Sequence, residues 1–68
     1  MTKKSKAICG LVDQTIADYY KIFDGKISDK RTGIIIFAII GDMPYNSETR
    51  EILDYCKSRF NFDIPSHL

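Results

Sequence analysis

Tryptophan is absent from this chain, histidine occurs once, and proline and cysteine occur twice each among 68 residues. Each scarcity excludes something. Two cysteines, Cys9 and Cys56, are too few for the disulfide framework of a small secreted domain. They leave either one bridge, should the first and last helices lie side by side, or two small buried hydrophobes, the ordinary state of free cysteine. Together with His67 they do not complete a zinc set at these spacings. His67 is also the only imidazole available as a general base, and it stands one residue from the end, where chains fray.

Charge of one sign is lacking as well. Ten basic and nine acidic residues are interspersed and give a formal net charge of +1. That is neither the footprint of a dedicated nucleic-acid binder nor the acidity of a DNA mimic. The longest apolar run, Ile34 to Ile40, is seven residues, far short of the ~20 that a membrane-spanning helix needs. Lys3, Lys4 and Lys6 resemble the charged start of a signal peptide, but Gly10, Asp13, Gln14 and Asp18 break up the apolar residues after them. Gly25, Gly33 and Gly41 are spaced as punctuation between elements, not as a phosphate-cradling loop. The expectation is a cytoplasmic protein without membrane association, cofactor, metal or catalytic residue.

The residues that are present read as helix. Residues 1–68 make one domain with one core, and a chain this short buries only ~60% of its unfolded surface, so self-association is a natural addition to its stability. From Ser5 to Phe23, Ile8, Leu11, Val12, Thr15, Ile16, Tyr19, Ile22 and Phe23 recur at spacings of three and four. Thr2 or Ser5 can cap the start, and Gly25 sits where a left-handed residue ends a helix. Gly10 lies inside the pattern and marks either a close helix crossing or a weak stretch. In the last element Ile52, Leu53, Cys56 and Phe60 share a face, Asn46 or Ser47 caps the start, and Glu48 and Glu51 occupy the first turn. FNFDI, Phe60 to Ile64, reads as an extended tail that packs its aromatics and stops at Pro65.

The middle run, TGIIIFAIIGDMP, admits two readings. Its isoleucines favour a strand at 34–40 and hence an α/β alternative, but FNFDI is the only partner on offer and two strands rarely stand alone. As a helix it has a cap in Ser28, an acidic first turn in Asp29, a stop in Gly41 and a block in Pro44. The helix is preferred: Ser28 to Gly41, ~20 Å long, apolar all round, and so the centre of a bundle or of a dimer core. The expected fold is therefore all-α, a three-helix bundle spanning roughly 5–24, 28–41 and 46–60, with an extended C-terminal tail.

Two local resemblances bear on function. KISDKRTGIIIFAII, then a proline, then ILDYCKSRFNFD resembles the helical module of replisome-organiser-like proteins of phages and other mobile elements. The matching positions are Ile27, Ser28, Asp29, Gly33, Ala38, Ile39, Pro44, Lys57 and Phe60, about half the chain. The resemblance implies an all-helical module of mobile-element origin and carries no catalytic residue. FAIIGDMPY is similar to the strand end of calcineurin-like metallophosphoesterases, in which Asp42 would bind a metal. Only 26 residues follow Asp42, with one histidine among them, so that ligand set cannot be completed. Asp42 is better read as a turn residue.

Binding remains. Tyr19, Tyr20, Tyr45 and Tyr55 exceed what so small a core can bury, and tyrosine is favoured where a ring is covered and a hydroxyl stays wet. With Phe62 they are the candidate partner-binding residues. Lys21, Lys26, Lys30 and Arg31 gather at the first interhelical corner and are the candidate phosphate contacts of a nucleic-acid-binding alternative. The expected function is that of a non-enzymatic accessory factor of a phage or mobile element, docking on a host or replication protein and forming a homodimer.

Overall fold

The computed structural model describes residues 1–65 and contains three helices: α1, Lys3–Ile22; α2, Asp29–Ile40; and α3, Ser47–Arg59. No strand occurs among the described residues, so the all-α reading holds. Each helix starts on a side-chain cap in extended backbone. Thr2 Oγ1 accepts from the Ser5 amide, Ser28 Oγ from the Arg31 amide, and Asn46 Oδ1 from the Thr49 amide, each at 3.1 Å. The Thr32 hydroxyl also donates to the Ser28 carbonyl at 2.9 Å. These caps let the isoleucine run continue as helix from a defined start, where a strand would have found no sheet to join.

The helix ends differ in detail from the sequence expectation. At the end of α1 the left-handed residue following the cap is Asp24, φ 57°, with Gly25 next at φ 76°. The Gly25 amide donates to the Tyr20 carbonyl at 2.6 Å, closing the six-residue turn that satisfies the last carbonyls. Gly41 instead stays right-handed, φ −63°, and α2 stops because Pro44 follows closely.

The core joins Cys9, Val12 and Ile16 of α1, Ile35, Ile36 and Ile40 of α2, and Ile52 and Cys56 of α3. α1 packs against both other helices and takes the central place, not α2. Its apolar stripe is wide enough to serve two neighbours, as the crowding of Ile8, Cys9, Val12, Ile16 and Tyr19 indicates. Thr2 of the α1 cap donates to Glu48 in the first turn of α3 at 2.8 Å, while Asp13 meets Tyr55 and Arg59 further along. α1 and α3 therefore run the same way. Cys9 and Cys56 are both buried and both free thiols.

Residues 60–65 form no helix or strand, and Phe60, which ends α3, has extended backbone. Phe60 and Phe62 pack on the core, and the Asp63 amide donates to the Asp29 carbonyl at the start of α2, 3.0 Å away. The Asp63 carbonyl lies directly over Gly33, where any Cβ would overlap it. Gly33, not Gly10, is thus the glycine that the tail approaches closely; among the described residues nothing lies within 4 Å of a Cβ at Gly10. Every buried side-chain nitrogen or oxygen among the described residues has a hydrogen-bond partner.

Candidate protein-docking surface

α2 is apolar on both sides, but the described residues cover only one. Thr32, Gly33, Ile35, Ile36 and Ile40 are buried, and Ile39 is half-buried beside them. Ile34, Ala38 and Gly41 face outward, with Phe37 half-buried at their edge. The positions 34, 37, 38 and 41 follow the spacing of a single helix face. Ile34 leaves 46% of its surface exposed, a large value for isoleucine in the middle of a helix. Lys30 and Arg31 continue the same face toward the N-terminus of α2, and both are exposed.

A shallow hollow of about 360 Å³ adjoins each end of this face. One is lined by Phe37, Ile40, Gly41, Met43, Tyr45, Thr49 and Leu53, between the end of α2 and the start of α3. The other is lined by Ser28, Lys30, Arg31 and Ile34. The first is shaped by the connection after α2. Met43 donates its amide to the Ile40 carbonyl at 3.1 Å, and the buried Thr49 hydroxyl donates to the Pro44 carbonyl at 2.6 Å. This fixed turn leaves Tyr45 projecting, with 75% of its surface exposed.

The other sequence candidates divide by environment. Tyr20 is exposed, at the end of α1. Tyr19 is half-buried against the core and stacks on Phe23, centroids 5.9 Å apart and planes 7° from parallel. Phe62 is half-buried against the core. Tyr55 is half-buried and donates its hydroxyl to Asp13 at 2.6 Å. That hydrogen bond raises the Tyr55 phenol above its ordinary range, chiefly because it favours the protonated form. Arg59 completes the cluster, its Nε 3.1 Å from Asp13 and its guanidinium over the Tyr55 ring. Tyr19, Tyr55 and Phe62 thus have packing or hydrogen-bonding roles within the fold, while Tyr20 and Tyr45 present open surface.

Lys21, Lys26, Lys30 and Arg31 are all exposed at the α1–α2 corner. Arg31 is held there, its guanidinium 4.7 Å from the Phe23 ring centroid. Ile34, Phe37 and Ala38 were not among the candidate binding residues that the sequence offered. In a stretch where every side chain is apolar, the outward positions carry no contrast that marks them.

No helix among the described residues is long and apolar enough to cross a membrane. Among them, too, no group of three or more His, Cys, Asp or Glu is placed to hold a metal ion. His67 lies outside the described residues. Comparison with protein families, curated proteins and solved structures returned no match.

Proposed function

We propose that this chain is a non-enzymatic protein-binding accessory factor, acting in the cytoplasm by docking on other proteins. The observation that carries the reading is the outward apolar face of α2, with Ile34 about half exposed and Tyr45 projecting beside it. Isolated exposed apolar residues are ordinary, but a face of them at helical spacing between two hollows fits a partner surface. The resemblance of residues 27–60 to the helical module of replisome-organiser-like proteins supports a phage or mobile-element origin and a host or replication protein as partner. The same face also suits self-association into a homodimer.

The test is a pull-down from the native host with the wild-type chain and an Ile34→Asp, Tyr45→Ala variant of equal helicity. A protein retained by the wild type and lost by the variant is expected. Identical recovery with both would rule out the α2 face as the docking surface.

A second reading, a small nucleic-acid-binding regulator, draws on the hollow at Ser28, where Lys30 and Arg31 flank an exposed helix start. A salt-dependent shift of DNA or RNA mobility, abolished by Lys30→Glu with Arg31→Glu, is what that reading requires.

A further inference from the structure

We infer that the outer face of α2 receives the same face of a second copy, the two helices lying antiparallel about a twofold axis level with position 36; this rests on reading that face as a docking surface. A twofold interface demands self-complementarity, because the same patch must serve both sides. The α2 face meets that demand in charge and in shape.

Charge is the first element. The face begins in Lys30 and Arg31, and Asp42 stands in the turn just past its C-terminal end, all three exposed and none of them in an ion pair among the described residues. Lys30, in the first turn of α2, and Asp42, in the turn two residues past its last helical residue, are each six positions from position 36. Antiparallel pairing brings Lys30 of one copy beside Asp42 of the other, twice. It also sets the positive N-terminus of each α2 against the negative C-terminus of its neighbour. Parallel pairing would instead place Lys30 and Arg31 against their own copies.

Shape is the second element. Ile34 and Ala38 are also equidistant from position 36, so the same axis that pairs the charges sets the large exposed side chain against a small one. Gly41, one turn further, opens the hollow it shares with Phe37 and Met43, into whose edge the opposing Ile34 fits. Tyr45 lies beyond Asp42 and comes to the hollow lined by Ser28, Lys30, Arg31 and Ile34 on the other copy. There its ring comes beside Lys30, a favourable contact for an aromatic face, while Arg31 stays seated on the Phe23 ring. Lys30, Ile34 and Tyr45 of one copy thus each meet an opposite charge or a recess on the other.

Sedimentation equilibrium on the full chain, with circular dichroism to confirm folding, tests the arrangement by charge exchange. The wild type is expected to dimerise. Lys30→Glu and Asp42→Lys are each expected to weaken dimerisation roughly tenfold, since the axis repeats every like-charge contact. The double variant, Lys30→Glu with Asp42→Lys, is expected to return within a few-fold of the wild type. Three results overturn the inference: a monomer at high micromolar concentration, a dimer indifferent to both reversals, or a double variant no better than the singles. None of them decides whether another protein uses this face, which the pull-down with the Ile34 and Tyr45 variant settles separately.

Discussion

The amide of Asp63 donates to the carbonyl of Asp29 across 3.0 Å, tying the C-terminal tail to the first turn of α2. The tail is able to lie there because Gly33, one turn on, offers no Cβ to the Asp63 carbonyl above it. Phe62 is held against the core by the same strap.

Gly33→Ala should therefore displace the tail, although alanine is the better helix former. The expected loss is about 1–3 kcal/mol in chemical denaturation, the range for forcing extra atoms into a packed site. Gly10→Ala, made in open space on α1, should raise stability by up to ~1 kcal/mol. Equal effects of the two substitutions would contradict this placement of the tail.

Asp13 organises the exposed seam between α1 and α3 by accepting from Tyr55 and Arg59. Asp13→Asn should lower the titration of the Tyr55 phenol, because the acceptor that favours its protonated form weakens. Ultraviolet titration of a variant whose other tyrosines are phenylalanine reads this directly. An unchanged midpoint would mean that the hydrogen bond is not formed in solution.

Burial pushes the Cys56 thiol up to about 11, with the negative charges of Cys9 and Asp13 adding to the effect. Burial, and then Asp13, raises Cys9 as well. An unfolded thiol titrates near ~8.5, so the folded state holds its proton more tightly. The associated stability is fully present below that value and declines as pH rises toward about 11. Denaturation midpoints should accordingly fall across the alkaline range, and Cys56→Val should flatten the slope. Below about pH 8 both thiols should resist alkylation until the chain unfolds.

The α3 cap supplies a fourth expectation. Asn46→Ala removes the acceptor for the Thr49 amide and should cost about 1 kcal/mol of stability, measured by denaturant titration. Ser47→Ala should cost less, since the serine is the first helical residue and not the cap.

Sequence made the helices legible because their signals are local. Ser28, with Asp29 following it, outweighs the strand preference of the isoleucines, and the cap bond to the Arg31 amide is the physical reason. What sequence did not supply was the arrangement around them. An all-apolar α2 suggested the central helix, yet centrality belongs to α1, whose stripe is wide enough for two neighbours. Gly10 and Gly33 look alike in a helical pattern, and only the path of the tail distinguishes them. The tyrosines separated for a similar reason: Tyr55 finds Asp13 on α1, 42 positions away, whereas Tyr45 stays largely exposed.

The central claim is that the outer face of α2 is covered by protein in the cell. A photocrosslinking amino acid placed at Ala38, with the same probe at Lys57 on the exposed side of α3 as control, tests it most directly. The account predicts discrete protein adducts from position 38, composed of a second copy or another protein, and none of comparable yield from position 57. Equal yields at both positions, or no adduct at position 38, would contradict it.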